Sequence, residues 1–209
     1  MTMLGGPSGV ATRAIHQEEI LKRRIASKIG LCYFDITSLH VDAIVNPSNS
    51  NLQPGGGANG QIHRAAGPML FQECQTLKGC VSGEAKVTKG YLLPAKYVIH
   101  TVGPHNQEKH ILASCYQNSL KRCETHLLRT VAFPCISTGA FGFDHEEAAN
   151  IALSTVRAYL MTDIALGKNS LDTIVFCVYS ERDKAIYEEL LPIYFPGFSR
   201  LDSTLSVHK

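Results

Sequence analysis

The stretch IVNPSNSNLQPGGGANGQIHRAAGP, residues 44–68, constrains the fold of this chain more than any other. An apolar run typical of a buried strand ends in asparagines, three consecutive glycines (55–57) follow, and a helical pattern carrying His63 comes next. Glycines reach positive φ at little cost and let the backbone approach a ligand closely. N–H groups at such a turn and at a helix N-terminus favour an anion. The order strand, polar loop, helix is how α/β proteins hold phosphate-bearing ligands.

A second segment repeats this order. The apolar run 131–136 leads into a loop of small residues and phenylalanines, 137–143, and a helical pattern begins near Asp144. Either loop alone is also explained as a simple connector. Two such loops at the carboxyl ends of parallel strands can hold opposite sides of one diphosphate. The pair therefore predicts a phosphate-binding α/β domain.

The remaining hydrophobic pattern predicts strands that alternate with helices. Strands are expected at 30–34, 42–46, 85–91, 96–102, 130–136 and 172–179, and helices at 58–66, 68–77, 108–126, 144–161 and 181–191. Such alternation favours a mainly parallel sheet covered on both faces. We divide the chain into an N-terminal extension (1–27), one folded domain (28–198) and a polar C-terminal tail (199–209). Within the extension we expect disorder at 1–12 and an amphipathic flanking helix at 14–29.

Composition excludes several classes of protein. With 44% hydrophobic and 18% charged residues, 209 residues fit one globular domain. A net charge of +2 is too balanced for bulk nucleic-acid binding. No window approaches the roughly 18 apolar residues of a membrane span, and neither an acidic cluster nor a His/Cys spacing suggests a metal.

The cysteines bear on the compartment. Seven cysteines without a C-x-x-C pair predict reduced thiols in an intracellular protein, cytoplasmic or nuclear. The first fifteen residues contain Arg13 and no acid, as in a transit peptide, but Glu18 and Glu19 interrupt that pattern. Mitochondrial targeting stays open as the weaker alternative.

The motifs resemble those of a known family. The first loop is similar to the first ligand loop of macrodomains, specifically the MacroD-type pattern IVNAANxxLxGGGGVDGxIHRAAGP, and PCISTGAFGF resembles the second, diphosphate-binding loop. FDITSLHVDAIVN, GEAKVTKGYLLPAKYVIHTVGP, SCYQNSL and FCVYSERDKAIYEELLPIYFP extend the resemblance from about residue 30 to 196. It implies a three-layer α/β/α sandwich with a mixed, mainly parallel sheet. It also implies recognition of ADP-ribose without a cofactor, and many family members remove ADP-ribose from proteins, nucleic acids or O-acetyl-ADP-ribose.

The resemblance assigns the adenine end of the ligand. Asp35 would accept a hydrogen bond from the adenine amine, with the N–H of Ile36 beside it. Tyr179 would lie against the adenine ring, where stacking is worth ~1–3 kcal/mol. The residues alone leave two alternatives open: Asp35 as the cap of a turn, and Tyr179 as a half-buried strand aromatic.

The resemblance also assigns the diphosphate and the distal ribose. Asn49 would bond the distal ribose hydroxyls, Asn46 would tie the loop together, and His63 would either flank that ribose or be purely structural. Phe143 would cover one face of the ribose. The diphosphate would lie against the backbone of Gly56, Gly57, Ser137, Thr138, Gly139, Ala140 and Phe141.

One departure from the family pattern affects the chemistry. Where the pattern reads GGGGVDG, this chain reads PGGGANG, so Asn59 replaces the aspartate that orients and polarises the attacking water. An amide can hold a water but cannot take its proton, although the substrate's own phosphate can. Two hypotheses follow: a mono-ADP-ribosyl hydrolase with weakened or substrate-assisted catalysis that uses Asn49, Asn59 and His63, or a non-catalytic reader of ADP-ribosylated partners.

The expected partners are ADP-ribose, mono-ADP-ribosylated proteins and ADP-ribosylated nucleic-acid ends, bound by a monomer. No G-x-G-x-x-G opens the first helix, which argues against a dinucleotide-dependent oxidoreductase.

Overall fold

The computed structural model describes residues 8–199. Within this range the strands are β1 Ile29–Tyr33, β2 Ala43–Pro47, β3 Ala85–Lys89, β4 Tyr97–Thr101, β5 Thr130–Phe133 and β6 Thr173–Val178. The α-helices are α1 Ser8–Ala26, α2 Gly57–Ala66, α3 Pro68–Thr76, α4 Lys109–Thr125, α5 His145–Ala165 and α6 Glu181–Tyr194, and a 3-10 turn covers Ile36–Ser38. None of the helices in the described part of the chain has the length and apolar character to cross a membrane.

The six strands form one mixed sheet in the order β1-β6-β5-β2-β4-β3. Four neighbouring pairs are parallel, and β3 runs antiparallel to β4. The strands β2 and β5 are neighbours, but the chain continues from β2 toward β3 and β4, and from β5 toward β6 on the opposite side. A crevice opens at such a switch point, outside the carboxyl ends of the strands. The predicted first and second loops are the segments that follow β2 and β5.

Helices cover both faces of the sheet. Consecutive strand residues point to opposite faces, so Val45 joins Leu120 of α4 and Val156 of α5 in one apolar cluster. Its neighbour Ile44 joins Ile62 of α2 and a second cluster on the other face. The three-layer α/β/α sandwich with a mainly parallel sheet is therefore confirmed.

The N-terminal helix is longer than predicted. Helix α1 begins at Ser8, so residues 8–12 are helical where disorder was expected. Its last turn buries Ile25 and Ala26 in the core of the sheet domain. Residues 1–7 and 200–209 lie outside the described residues, and the predicted division of the chain into extension, domain and tail stays a prediction.

Candidate functional site

The loops after β2 and β5 face each other across a cleft of about 280 Å³. Residues of the first loop and of the start of α2 form one wall, and residues of the second loop form the other. Eight of the predicted site residues line it: Asn49, Gly56, Gly57, Asn59, Ser137, Gly139, Ala140 and Phe141. The structure thus brings together two sequence motifs that are far apart in the chain.

The backbone of Gln53 connects the two candidate asparagines of the first loop. Asn49 Nδ2 donates to the Gln53 carbonyl oxygen at 2.8 Å, and Asn49 Oδ1 accepts from the Gln53 N–H at 3.0 Å. Asn59 Nδ2 donates to the same carbonyl at 2.9 Å. Gln53 was not singled out in the sequence, because its contribution comes from the backbone and its side chain carries no signal.

Asn46 links this loop to the interior of the sheet. Its side chain is fully buried. Asn46 Nδ2 donates to Asn59 Oδ1 at 2.9 Å and lies 3.0 Å from His100 Nδ1. Asn46 of β2 therefore connects the side chain of Asn59 to His100 of β4.

Glycines allow α2 to pack closely beneath the first loop. A Cβ atom at Gly60 would lie 2.2 Å from the Gly55 carbonyl oxygen, so any other residue there would displace the loop. Cβ atoms at Gly56 and Gly57 would meet nothing within 4 Å, and Gly57 has a φ of +55°. Because Gly56 provides no side-chain cap, the first-turn N–H groups of α2 remain available to a ligand.

Several backbone N–H groups of the second loop are unpaired within the described residues. The N–H groups of Gly142 and Phe143 turn back onto the carbonyls of Gly139 and Ser137. Within residues 8–199, those of residues 138–141 meet no protein acceptor. Ser137 has a φ of +67° and a buried Oγ without a partner in this range. That Oγ fits because residue 103 is glycine, whose Cβ would lie 2.0 Å from it.

The electrostatics of the cleft come from dipoles. None of its lining residues is an Asp, Glu, Lys, Arg or His. An anionic group there would be stabilised by the N–H groups of the second loop and by the N-terminus of α2. Such a site suits a diphosphate, and it contains no carboxylate to act as a general base.

The segment after β4 holds the second loop in place. Gln107 Nε2 donates to the Gly142 carbonyl at 2.7 Å, and Gln107 Oε1 accepts from the Asp144 N–H at 3.1 Å. The His105 ring lies 3.6 Å from the Phe141 ring, centroid to centroid. These contacts of Gln107 and His105 were not predicted from the sequence, because both residues lie in a polar loop that carries no motif.

The structure differs from the predicted side-chain roles at Phe143 and bears on the alternatives left open for His63. Phe143 is only 1% exposed and belongs to the core cluster, so its ring does not cover a ribose; Phe141 is the phenylalanine that lines the cleft. Thr138 Oγ1 donates to the Cys135 carbonyl at 3.1 Å, and the contact predicted between its backbone N–H and the diphosphate stays a prediction. His63 lies one helical turn after Asn59 and borders a separate groove with Pro54.

The ring of His63 is buried without a hydrogen bond. Neither ring nitrogen has a partner among residues 8–199. Burial lowers the pKa of His63, so the ring is neutral near pH 7. The structure thus favours the structural alternative for His63 over a direct contact with the distal ribose.

The residues predicted for adenine lie outside the cleft, where β1 and β6 end side by side. Asp35 Oδ1 accepts from the Thr37 N–H at 2.9 Å and from Thr37 Oγ1 at 2.8 Å. Asp35 therefore caps the 3-10 turn, and the rest of its exposed carboxylate remains available. Tyr179 is 73% exposed, so the alternative of a half-buried strand aromatic is wrong. Tyr33 and Phe34, which were not predicted, are exposed at the same edge.

One group of potential metal ligands occurs within the described residues. Donor atoms of His63, Cys74 and His100 lie within 4.8 Å of one another, and all three residues are buried. Two of the three residues are already engaged with protein groups. Burial raises the pKa of Cys74 to about 11, and its Sγ lies 3.7 Å from His100 Nε2. His100 already has both ring nitrogens in hydrogen bonds, to Asn46 and Thr88.

Comparison with known proteins agrees with this geometry. The Macro domain family model matches residues 45–152. The chain is 50% identical over 182 residues to ADP-ribose glycohydrolase MACROD2 of Mus musculus, covering 84% of this chain and 38% of that protein. It is 48% identical over 194 residues to ADP-ribose glycohydrolase MACROD1 of Mus musculus, covering 90% of this chain and 59% of that protein. The chain thus spans less than two thirds of the length of each of these two relatives.

A solved structure shares the fold. The Trypanosoma brucei macrodomain in complex with ADP-ribose superimposes with a TM-score of 0.76 at 40% identity, covering 78% of this chain and 69% of that one. The class defined by the fold and the cleft is an α/β protein with a cleft at a switch point of its sheet, a site that suits a phosphate-bearing ligand. The chain belongs to the macrodomain family.

Proposed function

We propose that this chain binds ADP-ribose in the cleft and hydrolyses the linkage between mono-ADP-ribose and its acceptor. The observation that carries the proposal is the convergence of the two loops on one cleft, whose lining residues within 8–199 are uncharged and include Asn49 and Asn59. Relatives at 48–50% identity carry the name ADP-ribose glycohydrolase, and a structural neighbour was solved with ADP-ribose.

The proposed ligand orientation follows from the two ends of the site. The diphosphate lies between the second loop and the start of α2, where N–H groups have no protein acceptor. The adenine lies over the exposed edge formed by Asp35, Ile36 and Tyr179. The distal ribose then extends toward Asn49 and Asn59 in the first loop.

The proposed chemistry depends on positioning and on the substrate. Asn49 and Asn59 hold the distal ribose and a water molecule, and the N–H groups stabilise the diphosphate. Because no carboxylate or histidine of residues 8–199 lines the cleft, the proton of the attacking water passes to a phosphate oxygen of the substrate. Catalysis is consequently weaker than with a protein base, whose help is typically worth ~10²–10⁴-fold.

The same observation favours a second candidate function. A cleft that binds ADP-ribose but lacks a proton acceptor is what a non-catalytic reader of ADP-ribosylated partners requires. Mono-ADP-ribosylated proteins are the proposed partners of either activity, with O-acetyl-ADP-ribose as an additional substrate of the hydrolase and ADP-ribosylated nucleic-acid ends as a further class of partner.

Cleavage of defined linkages decides between the two functions. The protein is incubated with Glu/Asp-linked and with Ser-linked mono-ADP-ribosylated protein, and release of ADP-ribose is followed by mass spectrometry. The hydrolase hypothesis predicts loss of the modification from at least one substrate, and no loss with Gly139→Glu, which blocks the diphosphate site. Stable capture of both substrates without release would support the reader instead.

A further inference from the structure

A continuous chain of hydrogen bonds runs from the first loop into the core, and one backbone atom sets its direction. The Gln53 carbonyl oxygen can only accept a hydrogen bond. Asn59 Nδ2, 2.9 Å away, must therefore be the donor. This orientation turns Asn59 Oδ1 away from the loop and toward Asn46, whose Nδ2 donates to it at 2.9 Å.

The second amide hydrogen of Asn46 continues the chain. Asn46 Nδ2 lies 3.0 Å from His100 Nδ1, which must accept and therefore carries no proton. The neutral ring then carries its proton on Nε2, 2.9 Å from Thr88 Oγ1. His100 is fully buried, and its burial together with the neighbouring His63 lowers its pKa to about 3.

No member of the chain can be reversed alone. Rotating the Asn46 amide by half a turn would set its oxygen against Asn59 Oδ1. Rotating Asn59 as well would set its oxygen against the Gln53 carbonyl. Amide orientations and histidine tautomers are assigned from the hydrogen-bond network. Here the Gln53 carbonyl at one end determines the orientation of Asn59, then that of Asn46, and then the tautomer of His100.

We propose that His100 is a positioning residue: with Thr88 and Asn46 it holds Asn59 so that Oδ1 faces the interior and Nδ2 faces the cleft. Asn59 Nδ2 lies 2.9 Å from the position that a Cβ atom at Gly55 would take, and Gly55 lines the cleft, so Nδ2 is on the cleft side. Residue 59 therefore offers the substrate a hydrogen-bond donor. This donor selects an acceptor, such as the carbonyl oxygen of an ester linkage or the oxygen of the attacking water. The catalytic consequence of this inference rests on the proposed function. The chain of hydrogen bonds does not depend on that function.

The tautomer of His100 tests the chain without any activity. Long-range ¹H–¹⁵N spectra of the wild-type protein are expected to show a neutral ring protonated on Nε2. In Asn46→Asp the carboxylate can only accept, so the proton is expected to move to Nδ1. A wild-type ring protonated on Nδ1, or a tautomer that Asn46→Asp leaves unchanged, would overturn the proposal.

Thr88 tests whether the chain reaches the site. Thr88→Val removes the nearer acceptor of His100 Nε2–H at nearly constant volume and leaves the weak acceptor Cys74 Sγ at 3.7 Å, and Thr88→Ser keeps the hydroxyl. Single-turnover cleavage of ester-linked mono-ADP-ribose is expected to fall at least fivefold in Thr88→Val only, with the Kd for ADP-ribose within twofold in both variants. Equal rates in the two variants would contradict a positioning role.

The two failures can be told apart. If the wild-type protein cleaves nothing, the proposed function fails. The side-chain amide resonances of Asn59 then show whether the chain of hydrogen bonds positions this residue. They are expected to shift in Thr88→Val and to stay in place in Thr88→Ser. Asn59 resonances that move in neither variant would overturn the positioning of Asn59 by His100.

Discussion

At position 59 an amide stands where the MacroD-type pattern has a carboxylate. The structure adds a physical reason why the two are not interchangeable in this loop. An aspartate oxygen in the place of Asn59 Nδ2 would face the Gln53 carbonyl at about the 2.9 Å that now separates donor and acceptor. Two acceptors at that distance repel each other, so the loop would have to move. Pro54, where the pattern has glycine, limits that movement.

We expect Asn59→Asp to raise the single-turnover rate on ester-linked mono-ADP-ribose by less than the ~10²–10⁴-fold typical of a general base. The double variant Pro54→Gly/Asn59→Asp should gain more, because its loop can relax away from the Gln53 carbonyl. ADP-ribose affinity, measured by calorimetry on the same proteins, should change little. Unchanged cleavage in both variants would mean that the substrate phosphate carries the proton and that residue 59 is incidental.

Asp35 combines two roles that substitution can separate. Asp35→Ala removes both the cap on Thr37 and the proposed contact with adenine, so it should cost about 1–3 kcal/mol of ADP-ribose binding and about 1 kcal/mol of stability. Asp35→Asn keeps a capping oxygen but removes the charge. It should lose affinity while its melting temperature stays near that of the wild type. Full affinity in Asp35→Ala would remove adenine recognition from this residue.

At the scale of single residues, the sequence predicted the members with a motif and missed those without one. Asn49 and Asn59 could be found because one follows an apolar strand and the other lies in the first turn of a helix beside a glycine run. Gln53 acts through its backbone, and His100 and Thr88 act on Asn59 only after the sheet pairs β3 with β4. The burial of Phe143 could not be predicted, because a loop with two phenylalanines does not show which ring faces the core.

At the scale of elements, every predicted strand and helix exists, and the errors lie at the ends. Strand β5 stops at Phe133, because Pro134 has no N–H to extend a ladder. Helix α6 continues to Tyr194 through Pro192, where the prediction ended it at residue 191. A proline near the last turn of a helix removes few hydrogen bonds, so the helix continues past Pro192. The sequence-based prediction ended the helix before this proline.

The second loop is the element whose substitution tests the ligand orientation. Gly139→Glu should abolish ADP-ribose binding without unfolding the protein, because a Cβ there meets nothing within 4 Å and the carboxylate would occupy the diphosphate site. Calorimetry and thermal melting of the same sample measure both quantities. Gly139→Ala should bind nearly as the wild type does, and Gly139→Gln separates bulk from charge. Retained binding by Gly139→Glu would require the diphosphate to lie elsewhere.

At the scale of the whole molecule, the buried histidines couple stability to pH. The pKa of His100 is lowered to about 3, below its value in the unfolded chain, and burial also lowers the pKa of His63. The unfolded state therefore binds more protons as the pH falls below about 6.5, and the free energy of unfolding decreases by up to about 1.4 kcal/mol per pH unit for each histidine. Above that pH their contribution is fully present.

Urea unfolding at about pH 5 and about pH 6.5, the range below the ordinary pKa of histidine, measures this coupling. The wild-type protein should be less stable at the lower pH. His100→Gln should show a smaller difference between the two, because one titrating group is gone, whatever its stability at neutral pH. An equal pH dependence in both proteins would show that His100 is not a buried neutral base.

Each proposed role of the cleft requires that the two loops form one site for ADP-ribose. Isothermal titration calorimetry of the wild-type protein with ADP-ribose tests it directly, and NAD serves as the comparison ligand. We predict a micromolar Kd, a free energy of about −8 kcal/mol, and much weaker binding of NAD, because its nicotinamide must enter the space of the distal ribose. An absence of heat and of any thermal shift with ADP-ribose would contradict the account.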